Sequence, residues 1–317
     1  MLAHLTRLLG PRSTRAYVPE GRLEEISREA FKLSSSPFFS FHPGLEVTTV
    51  LVFEKGGKRP AGVLKVGREG ARESLAREFE ILSHVYQTSS PSFSLTIPAP
   101  LGLQEVEGAT VLALGFLEGR KEKRPDFEKV LSWISELGSI PVPSGKKKIS
   151  RFGEARERIG RLAVCHKNDE TIFEIVNRLQ KFDDPDVDAR IPTLVTHRDL
   201  ALTNLLFSNG GVRVVDWGNA HYGWPLTDWV RFACNFDSVS DLFSGRSGRS
   251  RVFFQGLLRL ARERSVPQEW VAPLVLLSVF DYLSSFYLGK KGDWEKKYGF
   301  ILSLPEWVER LAPADGV

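Results

Sequence analysis

Asp199, Asn204 and Asp216 fall in one stretch, THRDLALTNLLFSNGGVRVVDWG at residues 196–218, and they are the residue types from which a phosphoryl-transfer site is built. That chemistry asks little covalent work of a protein, because the barrier falls through positioning and through neutralising charge on the transferred group. Carboxylate and amide oxygens suit hard magnesium, which keeps several waters and takes one or two protein carboxylates besides substrate phosphates. Asp216 and Asn204 meet that need. A further carboxylate must accept a hydrogen bond from the attacking hydroxyl and orient it, and Asp199 on the same loop is the candidate base.

The flanking residues predict how these groups are gathered. Leu194 and Val195 lead straight into His197, and Leu205, Leu206 and Phe207 follow the polar block. Ser208, Asn209, Gly210 and Gly211 then supply turn chemistry before Val212, Val214 and Val215 resume β-type residues. Asn-Gly is a strong hairpin signal, since both central turn residues need positive φ. Two short paired strands are expected, and closing them brings Asn204 and Asp216 together.

The spacing His-x-Asp-x4-Asn, followed by an apolar strand ending in Asp-aromatic-Gly, appears here as His197, Asp199, Asn204 and Asp216-Trp217-Gly218. It resembles the catalytic and metal-binding loops of the protein-kinase-like superfamily. Within that superfamily the chain is most similar to the aminoglycoside phosphotransferase and choline kinase group, whose pattern also carries a further Asp downstream, matched by Asp228 in Pro225-Leu226-Thr227-Asp228. The resemblance implies an α+β, bilobal protein-kinase-like fold, with a small antiparallel-sheet N-lobe and a larger, mainly helical C-lobe. It also implies ATP and magnesium as cofactors and a small-molecule acceptor, such as a sugar or amino alcohol, that takes the γ-phosphate on a hydroxyl. Asp199 would then be the catalytic base and Asn204 and Asp216 the metal ligands. His197 would pack beneath the loop and hydrogen-bond backbone near Asp216, and Asp228 would brace the loop from a helix start.

Two rival readings share the same motif. Arg198 completes the string His-Arg-Asp, which protein kinases often show, yet the loop lacks a Lys two residues after Asp199, no Ala-Pro-Glu follows, and the segment from Asp216 to Asp228 is short. A catalytically inactive kinase-like scaffold would keep the fold without the chemistry, and the joint presence of Lys65, Asp199, Asn204 and Asp216 stands against it.

Such an enzyme also needs a strand Lys on the phosphates and a helix Glu to hold it. Lys65 lies in an apolar β run at residues 61–66, after a strand-like run at 48–53 and a turn-like stretch at 55–60. Downstream, residues 71–86 form an amphipathic helix pattern with Leu75, Phe79, Leu82 and Tyr86 on one stripe. At about 100° per residue Glu78 falls within that stripe, while Glu73 and Glu80 project to the other side. An inward carboxylate requires a cationic partner, and Lys65 is the natural one. The phosphate-covering loop is expected at residues 39–46, where the only glycine is Gly44. The strand expected at 111–114 gives way to Gly115, Phe116 and Leu117, and the resemblance places adenine recognition on their backbone.

The chain is expected to comprise an N-terminal extension at 1–40, an N-lobe at 41–117 and a C-lobe at 118–317. Helices are expected at 127–137, 152–164, 170–182, 226–236, 251–264, 268–287 and 294–302, and no internal repeat is evident. Residues 23–33 read as an amphipathic helix that packs on the first lobe or serves as a docking arm. With 317 residues, 42% apolar content and a net charge of +4, a large core and a mixed surface are expected, and nucleic acid is a weak partner hypothesis. The runs at 146–148 and 183–188 and the basic cluster Arg246, Arg249 and Arg251 read as solvated loops. The apolar stretch 270–288 carries Asp281 and Pro273, which marks a core helix over a membrane span. The short apolar start ends at Pro11-Arg12 without a cleavage site, so cytoplasmic residence is expected. Cys165 and Cys234 are far apart in the chain and read as reduced core residues.

Overall fold

The computed structural model describes residues 18–44, 46–144, 191–208, 211–236 and 248–287, with the single positions 177 and 242. The helices expected at 152–164, 170–182 and 294–302, Cys165 and the charged runs at 146–148 and 183–188 lie outside the described residues. The chain divides into two compact units, residues 1–87 with 97–117, and residues 88–96 with 118–317.

The first unit is built on a five-stranded sheet in the order β1 (Pro37–Pro43), β2 (Val47–Glu54), β3 (Pro60–Gly67), β5 (Ala109–Gly115), β4 (Pro100–Val106), with every neighbouring pair antiparallel. Strand side chains alternate between faces. Val50 and Val52 of β2, Leu64 and Val66 of β3 and Val111 and Ala113 of β5 therefore share one face, and helix α1 (Glu20–Phe31) covers it. Leu23, Ile26, Ala30 and Phe31 recur at helical spacing and supply the apolar stripe of α1. Lys65, between Leu64 and Val66, points to the other face, over which helix α2 (Arg72–Thr88) is expected to lie from its buried Leu75, Glu78 and Leu82.

Two strands differ from the sequence expectation. Residues expected as the phosphate-covering loop are mostly strand: Phe39 to Pro43 belong to β1, and the connection to β2 is confined to residues 44–46, closed by the Gly44 amide donating to the Val47 carbonyl at 3.1 Å. The physical reason is the run of aromatics. Phe39 packs against the core while Phe38 stacks on Phe53 across the strand pair at 4.8 Å, so alternation favours an extended chain. Strand β4 has no regular apolar alternation, being an edge strand with Gly102 and Glu105, and takes its order from pairing with β5.

Gly62 marks the closest approach between sheet and α1. A Cβ there would lie 2.0 Å from Cε1 of the Phe31 ring. Replacing Gly62 with Ala must displace a packed ring, and overpacking of this kind costs about 1–3 kcal/mol. Chemical denaturation of Gly62→Ala is expected to show that loss.

In the second unit, helix α3 (Phe127–Leu137) starts at Asp126, whose carboxylate accepts from the Glu128 and Lys129 amides. Strand β6 (Leu194–Thr196) pairs with β9 (His221–Gly223), and β7 (Leu205–Ser208) pairs with β8 (Gly211–Val214) from Leu205 opposite Val214 to Ser208 opposite Gly211. Helices α4 (Thr227–Phe236), α5 (Gly248–Glu263) and α6 (Gln268–Tyr287) follow. Their core is aromatic: Trp229 stacks on Phe232 and Phe253, and Phe127 meets both Trp229 and Phe232 edge-on. Cys234 is buried on α4, and burial pushes its thiol up to about 12, so it is an inert core residue. Among the described residues, no helix is long and apolar enough to cross a membrane.

Candidate active site

The Asn-Gly hairpin does what its sequence requires. β7 and β8 leave Asn204 at the start of one strand and Asp216 just past the end of the other, and the Val215 amide donates to the Asn204 carbonyl at 3.0 Å. A single 3-10 turn, Leu202–Asn204, carries the chain from Asp199 into β7. The Asn204 amide nitrogen donates to the Asp199 carbonyl at 2.9 Å and to its carboxylate at 3.2 Å. Both amide protons are thereby committed to Asp199, which turns the amide oxygen of Asn204 toward the remaining space.

Asp216 adopts a left-handed conformation, with φ 63° and ψ 70°, which Asp tolerates better than most residues. That turn breaks β8 and exposes the Asp216 carboxylate while Trp217 folds inward. Trp217 donates to the Val214 carbonyl at 3.1 Å and packs edge-on against His197, with ring centroids 5.1 Å apart.

His197 is fully buried and both ring nitrogens are engaged. Its Nε2 lies 3.1 Å from the Val215 carbonyl, which can only accept, and its Nδ1 accepts from the Asp199 amide at 3.3 Å. This imidazole fixes the loop and offers no lone pair to a substrate. Asp228, in the first turn of α4, is 3% exposed and accepts from the amides of His197 at 2.8 Å and Arg198 at 2.7 Å. Its two oxygens thus hold the backbone immediately before Asp199.

The half-buried Asp199 carboxyl is pushed above its ordinary value, chiefly by desolvation and further by the Asp216 charge. The Arg231 charge and hydrogen bonds from Asn204 and Asn219 pull in the opposite direction. Neither Arg231 nor Asn219 was singled out from sequence. Arg231 is a cation inside the apolar pattern of α4, which is the signal that could have marked it.

A metal site can be tested on this donor set. Among the described residues no three His, Cys, Asp or Glu side chains cluster as a metal cage. One carboxylate and one amide oxygen, with phosphates and water completing the shell, is a donor set magnesium accepts, so Asp216 and Asn204 fit it.

In the first unit, Lys65 Nζ donates to both carboxylate oxygens of Glu78, at 2.8 Å and 3.0 Å. Lys65 is 8% exposed and Glu78 1%, which makes this a desolvated pair. The Gly115 amide donates to the Ala99 carbonyl at 2.8 Å and is committed within the unit. Phe116 is exposed and Leu117 half-buried.

The family model described as the phosphotransferase enzyme family (APH) matches residues 41–260. No curated protein matches the sequence significantly. Among solved structures, amicoumacin kinase hAmiN, in complex with AMP-PNP, Ca2+ and Ami, aligns at 13% identity with a TM-score of 0.62, covering 94% of this chain and 95% of that one. Choline kinase from Cryptosporidium parvum Iowa II aligns at 13% identity and a TM-score of 0.59, covering 93% and 98%. Spectinomycin phosphotransferase APH(9)-Ia, in complex with ADP and spectinomycin, aligns at 13% identity and a TM-score of 0.56, covering 94% and 94%. At these identities the likeness is one of fold, and it is the α+β kinase-like fold with a small antiparallel sheet and a mainly helical remainder. The family match spans well over half of the sequence and takes in Lys65, Glu78, Asp199, Asn204, Asp216 and Asp228, so the chain belongs to the phosphotransferase enzyme family.

Proposed function

We propose that the protein transfers the γ-phosphate of ATP to a hydroxyl of a small metabolite, with magnesium as the cofactor and Asp199 as the catalytic base. The observation that carries this reading is the gathering of Asp199, Asn204 and Asp216 at the open end of one hairpin, with Asp199 and Asn204 in direct hydrogen bond. Family membership supports the reaction type, and the AMP-PNP and ADP bound to two proteins of the same fold support a purine nucleotide as donor.

Each residue has a defined task in this reading. Asp199 accepts the hydrogen bond of the acceptor hydroxyl and orients its oxygen for in-line attack on the γ-phosphorus; as the new O–P bond forms and the bond to the bridging oxygen of ADP breaks, the hydroxyl proton passes to the carboxylate and ADP leaves. Asn204 and Asp216 would hold magnesium, which would neutralise charge on the phosphates. Lys65, oriented by Glu78, meets the phosphates as a fixed cation. Adenine would lie against the backbone of Gly115, Phe116 and Leu117, where the Gly115 amide is already committed to the Ala99 carbonyl. His197 and Asp228 support the loop. In this reading the protein does not insert into a membrane, binds no nucleic acid and acts in the cytoplasm.

The pH dependence follows from the direction of the Asp199 shift. Catalysis needs the ionised carboxylate, and a raised value keeps it protonated to higher pH, so activity is gained as pH rises through that value. The acid limb of kcat/KM is expected at higher pH than an ordinary Asp would give, and higher still in Arg231→Met, which removes a charge that favours ionisation.

The direct test incubates purified protein with γ-labelled ATP, magnesium and a panel of hydroxylated metabolites. Label appearing in a small molecule supports the proposal. Label appearing only in protein favours a protein kinase, and magnesium-ATP binding without turnover on any acceptor favours an inactive scaffold.

A further inference from the structure

Arg198, the residue immediately before Asp199, has a left-handed backbone with φ 61°. A side chain with a Cβ pays for that conformation in steric contact with the following carbonyl, and it persists only where the surroundings over-determine it. Both the backbone and the guanidinium of Arg198 are held. Its amide donates to Asp228 at 2.7 Å. Its carbonyl accepts from Nη1 of Arg231 at 2.5 Å. Its guanidinium donates to Asp281 through Nε at 3.2 Å and Nη2 at 2.8 Å. Asp281 closes the circuit by accepting from Nη2 of Arg231 at 2.9 Å.

Three elements distant in sequence therefore meet on one backbone unit: the loop after β6, helix α4 and helix α6. The side chains are largely out of water, with exposures of 17% for Arg198, 8% for Arg231 and 14% for Asp281. In that setting charge-assisted bonds are strong and directional, and two cations on one carboxylate leave little freedom to any of the three.

We infer that Asp281 and Arg231 are positioning residues for Asp199: together they lock Arg198 in its left-handed conformation and so fix where the next carboxylate points. Asp281 is thereby engaged in an internal clamp and is not a contact for the acceptor. The inference rests on the phosphotransferase reading, since it concerns placement of the base, and the clamp itself has a readout independent of turnover.

The sharpest comparison is between two substitutions of the same residue. Arg198→Ala and Arg198→Gly both delete the guanidinium and leave Asp281 paired with Arg231, but only glycine takes positive φ without steric penalty. The glycine variant is expected to have a kcat about fivefold to thirtyfold above that of the alanine variant, with the same KM for ATP. Asp281→Asn is expected to lower kcat about tenfold with KM for ATP and acceptor unchanged, and by no more than about twofold when introduced into Arg198→Gly, because the strain it restrains has gone. Hydrogen exchange of the peptide over 196–204 is expected to quicken in Asp281→Asn.

Equal kcat for the alanine and glycine variants overturns the inference, as does an Asp281→Asn effect of the same size in both backgrounds. A rise in acceptor KM at constant kcat overturns it by making Asp281 a substrate contact. Wild-type protein that turns over no ATP, even with the exchange result as expected, removes both the phosphotransferase reading and the positioning role. Turnover that passes while the Arg198 comparison fails removes the positioning role alone.

Discussion

Asp199→Ala is expected to lower kcat for phosphoryl transfer by about a hundredfold to ten-thousandfold, the range over which a positioned general base contributes. The loop should survive the change. Its fold rests on the Asp199 main chain, whose carbonyl accepts from the Ala201 amide at 2.8 Å and from Asn204 at 2.9 Å, and whose amide donates to His197. Only the contacts to the carboxylate, from Asn204 at 3.2 Å and from Asn219, are deleted. A small change in melting temperature with retained magnesium-ATP affinity is therefore expected alongside the loss of rate. Steady-state kinetics with nucleotide titration checks the split. Activity within a few-fold of wild type would remove Asp199 from the role of base.

Glu78→Ala is expected to have the largest effect on stability. The carboxylate is 1% exposed and bonded through both oxygens to Lys65, so its removal leaves an ammonium in a desolvated site. Breaking a buried pair from one side costs about 3–5 kcal/mol, whereas replacing both partners by apolar residues of similar volume is often neutral or stabilising. The double variant Lys65→Met/Glu78→Leu is accordingly expected to regain wild-type stability in chemical denaturation while losing ATP-dependent activity. That outcome separates the two contributions of the pair, since packing is restored and the fixed cation is not. A double variant that stays fully active would make the pair structural only.

The parts of this arrangement that sequence makes legible are those set by local periodicity. Glu78 sits within the stripe formed by Leu75 and Leu82, and helical geometry alone turns it inward toward a strand Lys. The β7–β8 hairpin is announced by Asn-Gly between apolar runs, and its register carries Asn204 to Asp216. Longer-range order is less visible. β6 and β9 are three residues each, too short for any alternation to register, and β4 owes its extended form to pairing with β5. Phe39 to Phe41 read as part of the phosphate-covering loop on sequence, while pairing with β2 makes them strand.

Arg231 and Asp281 illustrate a second limit. Each is a lone charge in an apolar helix pattern, and such a charge requires a partner without naming it. Only the approach of α4 and α6 to the loop after β6 supplies one, and the left-handed backbone of Arg198 is held by the same contacts.

The central claim is that Asp199, Asn204 and Asp216, gathered at one hairpin, serve a magnesium-nucleotide. Isothermal titration of ATP into wild-type, Asn204→Ala and Asp216→Asn proteins, with and without magnesium, tests it most directly. The account predicts saturable, magnesium-dependent binding to wild type and loss of it in both variants. Binding that ignores magnesium, or that persists unchanged in either variant, would contradict it.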